Sequence, residues 1–387
     1  MSTHDYYQFV YEKLLAIYPE KPWTKIISKM SGKTGKGLTI NKFGERMIAL
    51  GLYLWDTKSF DKCDSYEKGA IAEAFFYSGK FIEYRDSLSE LEQGALKSRF
   101  GSALKESDDM RAFMFEVFCY HYLLNKGYEV ESKDLDYSNE TFDYLVKNES
   151  EIQVECKSFA YDKGLFINSD EAQNLHNLIL ERGMKLDQPL NNAVTFVTLE
   201  VFRGFPKSKT GQKHLLDEIF KLLSDQSLSN EQFKLDVRTF TDIKNIEQEE
   251  IWKDIQFESN GVELAFSICT ANGSSSRRAL SIRTTVKPAL LREFENICKD
   301  ASKRQFLDNK AGTLFIHIPH VDTYKELKSS SRFEGKVKNI FSRPHLCNIV
   351  LFSNLGVYEE SSFPYFYLSP LIQEYQNEHS EFKGVSI

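Results

Sequence analysis

Asp143, Glu155 and Lys157 are the residues of this chain whose types and spacing best suit chemistry on a phosphate. Two carboxylates set opposite each other on paired strands repel. A hard divalent cation between them removes the repulsion, because such ions take oxygen ligands. An ammonium two residues beyond one carboxylate points to the same side of its strand. There it adds positive charge where an anionic transition state needs it.

Two strands must position these groups. Phe142–Lys147 and Glu151–Phe159 read as a hairpin. Along the second strand Glu151, Gln153, Glu155 and Lys157 share one face, and Ile152, Val154 and Cys156 share the other. Along the first, Asp143, Leu145 and Lys147 alternate with Phe142, Tyr144 and Val146. A three-residue loop, Asn148-Glu149-Ser150, pairs Asp143 with Glu155, Phe142 with Cys156, Tyr144 with Val154 and Val146 with Ile152. A two-residue loop would set Phe142 against Glu155 and mix the faces. Burial of the apolar set selects the first register.

A helix precedes the hairpin. Met110–Lys126 is stopped by Gly127 and followed by a strand, Tyr128–Lys133. On that helix Glu116 has Ala112, Phe113, Cys119 and Tyr120 at three and four residues, and Leu123 continues the stripe. Glu116 therefore faces inward, where a carboxylate needs a partner; a cation would supply one.

After the hairpin come a helix, Ser169–Arg182, and an apolar strand, Ala193–Phe202. The order is helix, three-strand meander, helix, strand. Residues 1–105 read as mainly helical, with helices at Asp5–Ile17, Lys42–Leu54, Tyr66–Ser78 and Leu88–Leu104. Beyond Pro206 the pattern predicts a helix at Lys213–Ser224 and strands at Phe233–Phe240, Val262–Cys269 and Ala279–Thr285. A helix from Pro288 to Phe306 and buried-type strands at Thr313–Ile318 and Asn348–Phe352 follow. The class is mixed α/β in three regions: a helical 1–105, a core at 106–205, and an α/β region at 206–387 free to continue the core sheet.

Apolar residues make up 41% and charged residues 27% of the 387, a globular composition that excludes a disordered chain. No apolar run has the length of a membrane span, and Met1–Tyr18 lacks the basic start and apolar middle of a signal peptide. A cytoplasmic location without membrane contact is the expectation. The six cysteines are scattered without CxxC spacing, which argues against zinc or a disulfide framework. Net charge is −7, yet Arg277–Arg343 holds 15 Lys and Arg against 7 Asp and Glu, a local +8 that leaves −15 elsewhere. That basic segment, 277–343, is compatible with phosphate contact. The loop Ser31-Gly32-Lys33-Thr34-Gly35-Lys36-Gly37 does not make a phosphate loop, since Ile27 stands where the pattern needs its first glycine.

These residues resemble the PD-(D/E)xK, or restriction-endonuclease-like, nuclease superfamily. The matches are Asp143 in TFDYLV, Glu155 and Lys157 in QVECKSF, and Glu116 in FMFEVFCYHYLLNKGYEV. Thr141 and Phe142 precede Asp143 where the name-giving pattern has proline. The resemblance covers residues 106–205 and implies the family's core. It also implies Mg2+, with Mn2+ as a substitute, held by Asp143, Glu155 and the backbone carbonyl of Cys156. Lys157 would orient or deprotonate water, and Glu116 would hold a second metal or orient water. In related folds the crossover helix after the motif brings polar groups to the phosphate. Here that helix is either Ser169–Arg182, with Gln173, or Pro288–Phe306, with Lys303 and Arg304. His317 and His320 flank a strand end and read as structural.

The resemblance implies a DNA endonuclease in restriction or anti-phage defence. A homodimer or larger homo-oligomer is expected, with a partner defence subunit for activation. Three other readings share the fold class. One is a catalytically silent nucleic-acid-binding or scaffold protein, for which Asp143, Glu155 and Lys157 have no chemical need. Another is an RNA nuclease, which the same chemistry permits. The third is a purely structural α/β protein, which leaves the inward-facing Glu116 unexplained.

Overall fold

A computed structural model describes every residue except 1, 33–45, 106, 134, 136–141, 148–149, 160–166, 168, 184–192, 207, 225–228, 230, 242–261, 271–276, 287–288, 308–309, 320, 356, 360–365, 369, 383–384 and 386. Lys33–Gly37 of the glycine- and lysine-rich loop, the triplet Ser274–Ser276, Asn148, Glu149, Pro288 and His320 lie outside the described residues. The protein is mixed α/β and forms two compact units. The first comprises Met1–Ser28, Glu45–Tyr161 and Leu290–Ile387; the second comprises Lys29–Gly44 and Asp162–Ala289.

Helices α1 (Thr3–Ile17), α2 (Pro22–Gly32), α3 (Met47–Thr57), α4 (Ser65–Asp86) and α5 (Glu90–Ala103) lead to α6 (Ser107–Asn125). Three begin with reciprocal capping boxes, Ser2 with Asp5, Asp64 with Glu67 and Ser89 with Glu92, which satisfy otherwise orphaned N–H groups. Stacked rings join them: Tyr7 on Phe75 at 4.7 Å, Phe81 on Phe100 at 4.4 Å and Tyr84 on Tyr120 at 4.0 Å. The last pair ties α4 to α6. The helices of residues 1–105 thus belong largely to the same compact unit as the sheet below, not to a region of their own.

Gly127, at φ +88°, closes α6. Its N–H donates to the Leu124 carbonyl at 2.9 Å and that of Tyr128 to the Leu123 carbonyl at 3.2 Å, the paired bonds of a glycine stop. The chain then runs as an antiparallel meander, β1 (Glu129–Ser132), β2 (Tyr144–Lys147) and β3 (Glu151–Ser158).

The second unit follows. It contains α7 (Ser169–Gly183), β4 (Ala193–Val201), α8 (Lys209–Ser224), β5 (Phe233–Thr241), β6 (Val262–Thr270) and β7 (Arg277–Thr284). Its sheet has the order β5-β4-β7-β6. Leu175, Ile179, Leu216 and Ile219 of the helices share a core with Leu199, Leu235 and Ile282 of the strands.

Returning to the first unit, the chain forms α9 (Leu290–Arg304), β8 (Ala311–His317), α10 (Val321–Ser329), α11 (Phe333–Ile340), β9 (Leu346–Ser353), the ribbon β10 (Val357–Glu359) and β11 (Phe366–Leu368), and β12 (Leu371–Gln376). The sheet order is β1-β2-β3-β8-β9-β12. β3, β8 and β9 run parallel, and β12 returns antiparallel. This corrects the expected contiguous core at 106–205. The strand beside β3 is β8, and β4 belongs to the other sheet. Both are apolar strands, and an apolar run announces burial without naming its partner. The expectation that the C-terminal region continues the core sheet holds for β8, β9 and β12.

Three layers result. On one face, Phe115, Phe118 and Tyr122 of α6 meet Phe315, His317 and Phe352. On the other, Leu145, Leu314, Ile316, Ile349 and Leu351 form a core with Phe294 and Cys298 of α9 and Phe333 and Val337 of α11. Phe142 joins this second core and not the face of Tyr144, because it stands ahead of the first paired residue of β2. Phe315, on a central strand and fully buried, touches Tyr122 and Phe352 at ring separations of 6.0 and 5.1 Å. Phe315→Ala is expected to destabilise the first unit by about 3–5 kcal/mol. Urea unfolding checks this; an unchanged midpoint would show that the aromatic layer does not hold α6 to the sheet.

Candidate active site

The hairpin has the register that its apolar face dictates: Tyr144 pairs with Val154 and Val146 with Ile152. The paired register ends at Tyr144 and Val154, and Asp143, the residue before Tyr144, lies close enough to Glu155 for its charge to act on that carboxyl. Asp143 is tied on three sides. Its N–H donates to the Val154 carbonyl at 3.1 Å, its carbonyl accepts from Lys133 N–H at 2.9 Å, and its Oδ2 accepts from the N–H of Cys156 at 2.7 Å. Both carboxyl residues are buried, Asp143 at 9% exposure and Glu155 at 2%.

Lys157, half-buried, forms an ion pair with Oε1 of Glu155. The other oxygen, Oε2, is buried and accepts no hydrogen bond. Burial first, and the Asp143 charge second, push the Glu155 carboxyl well above its usual range, with Lys157 opposing. Burial works against the Lys157 ammonium, but the charges of Glu155 and Asp143 outweigh it and raise its pKa. Cys156 turns its thiol to the opposite face, where burial raises the pKa of both it and its hydrogen-bond partner Cys119.

Glu116 faces inward as its helical neighbours predict, at 14% side-chain exposure. The Tyr144 hydroxyl donates to its carbonyl at 3.0 Å, fixing this turn of α6 one residue from Asp143. Its carboxylate pairs with Arg99 of α5. The sequence pattern did not find Arg99. The one signal was the need of an inward carboxylate for a partner, which gives no address.

The placement of the crossover-helix residues needs restating. Lys303 and Arg304 end α9, and the segment that follows them meets the start of β3, with Arg304 paired to Asp300. Leu307 N–H donates to Gln153 Oε1 at 2.8 Å, Lys310 pairs with Glu151, and Ala311 is in register with Ile152. The C-terminal end of α9 therefore meets the start of β3, while Glu155 and Lys157 lie toward its finish. A helix joining two parallel strands runs back along them, so its last residues are at the wrong end. It is α9 that leads into the strand parallel to β3. Gln173 lies on α7 of the second unit, and its side chain is outside the described parts. His317 is structural: it hydrogen-bonds Ser158 at 3.0 Å and stacks on Phe115.

Among the described residues, no group of three or more His, Cys, Asp or Glu is gathered to hold a metal ion. Asp143 and Glu155 nonetheless fit a hard cation, since both are buried, the charge of one acts on the other, and Glu155 keeps a buried oxygen without a hydrogen-bond partner. Mg2+ retains several waters and needs only one or two carboxylates.

No protein-family model and no curated protein matches the chain. Among solved structures the chain is similar to the central domain of yeast acetyl-CoA carboxylase at 11% identity, covering 93% of this chain and 67% of that one, with a TM-score of 0.14. A likeness of that size carries no argument about fold or activity.

The Glu155 environment has a consequence for stability. A carboxyl whose folded pKa is raised holds its proton more tightly folded than unfolded. Its contribution is present below the unfolded value and is lost as pH rises toward the folded one. Glu155→Gln removes the buried charge and leaves Asp143 facing Lys157. In EDTA the variant is expected to have a higher Tm than wild type at pH 8, with the gap closing below about pH 4. Thermal scans across that range check it; equal Tm values at pH 8 would show that Lys157 already neutralises the pair.

Proposed function

We propose that the protein is a Mg2+-dependent endonuclease that hydrolyses phosphodiester bonds in DNA, of the restriction or anti-phage type. The observation that carries the reading is the buried Asp143–Glu155 pair, with one Glu155 oxygen lacking a hydrogen bond and Lys157 beside it. The surrounding order supports it too. α6 precedes the β1–β3 meander, and α9 leads into β8, parallel to β3. This order is compatible with the helix, three strands, helix, strand core expected of PD-(D/E)xK nucleases, with the second unit falling in sequence between β3 and α9.

Asp143 and Glu155 would hold the cation, with the backbone carbonyl of Cys156 as a third donor. When bound, Mg2+ supplies charge neutralisation on the scissile phosphate, and Mn2+ is expected to substitute. The Cys156 N–H orients Asp143 through Oδ2. Lys157 remains protonated at neutral pH. Its ammonium would orient the attacking water and offset charge in the transition state. Glu116 stands behind this pair, near enough that its charge contributes to raising Glu155.

Plasmid and linear duplex DNA incubated with Mg2+, Mn2+ or EDTA test the reading. Cleavage is expected with either metal and not in EDTA. Asp143→Ala and Lys157→Ala should each lower the rate by at least about a hundredfold in protein that circular dichroism shows to be folded. Wild-type activity in Lys157→Ala would remove that residue from the site, and activity in both variants would remove the site itself.

A further inference from the structure

Glu116 is neutralised from within the chain. Arg99 reaches across from α5 to its carboxylate, and the guanidinium carbon lies 5.7 Å from the centroid of the Phe113 ring. A ring face and a carboxylate together fix the plane of the guanidinium. Arg99 remains 35% exposed at its side chain. Arginine carries five N–H donors in a planar fork that matches two phosphate oxygens.

The charges around it point to an anion. Lys157 pairs with Glu155 and Arg99 with Glu116, and the charges of Asp143 and Glu116 both act on Glu155. The Tyr144 hydroxyl holds the Glu116 turn against β2. A divalent cation bound by Asp143 and Glu155 would add two positive charges to this cluster. Arg99 would then lie beside Glu116 at the margin of a positive site, partly open to solvent.

We propose that Arg99 is a phosphate-contacting residue of the site, held ready by Glu116 and Phe113, and that it takes a non-bridging oxygen of the DNA backbone. The inference rests on the nuclease reading. Nothing in the motif assigns this part to α5, so Arg99 would bring the N-terminal helices into substrate binding.

The test is duplex binding, followed by fluorescence anisotropy of a labelled duplex in Mg2+ over a salt series, in a Lys157→Ala background that holds cleavage down. Adding Arg99→Gln is expected to weaken binding about tenfold and to flatten the salt slope by about one. Arg99→Lys keeps the charge and loses the fork, so the slope should persist while affinity falls several-fold. The Arg99→Gln/Glu116→Gln double variant separates contact from neutralisation. If Arg99 binds phosphate, the double variant stays weak; if Arg99 only serves Glu116, it regains the binding of Glu116→Gln alone. Wild-type cleavage together with unchanged affinity and slope in Arg99→Gln overturns this inference alone. Absence of both cleavage and duplex binding in the unsubstituted chain overturns the nuclease reading, and the inference with it.

Discussion

Asp143 and Glu155 are like charges on adjacent strands, with almost no water to screen them. In a medium of low polarisability such a pair cannot keep both charges without compensation. The structure offers two partners. The Cys156 N–H serves Asp143, and the Lys157 ammonium serves Glu155. Glu155 Oε2 still accepts no hydrogen bond. A buried acceptor left in this way costs about 1–3 kcal/mol. The surrounding fold has to hold the two carboxylates together against that cost.

It does so by burying the strands on both sides. β3 has α6 on one face and the α9–α11 layer on the other, so a register slip of one residue would expel Val154 and Cys156 from one core and invert every polar side chain. Both ends of β3 are fastened as well. At its start Gln153 accepts from Leu307 and Glu151 pairs with Lys310; at its finish Ser158 meets His317, and Phe159 N–H donates to the His317 carbonyl at 2.9 Å. Side chains held by this framework have little freedom to relax apart, which is what a preformed cation site requires.

The legible part of this arrangement is the part with a short period. Alternation along the hairpin identified the register of Tyr144 with Val154, helical spacing turned Glu116 inward, and Gly127 marked the end of α6. What was not legible depends on contacts between distant segments. β4 and β8 are both apolar, and nothing within either run says which will lie against β3. The same ambiguity sent Lys303 and Arg304 to the site. Their helix was identified, but its direction along the sheet follows only once β8 is known to run parallel to β3. Arg99 belongs to this class too, since the demand for a partner is local to Glu116 while the supply comes from another helix.

The β3–β8 pairing shows why such a chain can tolerate the whole second unit between its strand and its crossover helix. The entropy of closing a loop grows only with the logarithm of its length, about 0.6 kcal/mol for each doubling. Against this, β8 is buried along its entire length and is in register with β3 from Ile152 to Ser158. Each large apolar side chain buried there contributes roughly 1.5–3 kcal/mol, so Leu314, Phe315 and Ile316 together exceed the added cost of the longer loop several times over. The cost of the long connection falls instead on the rate at which the two distant strands find each other.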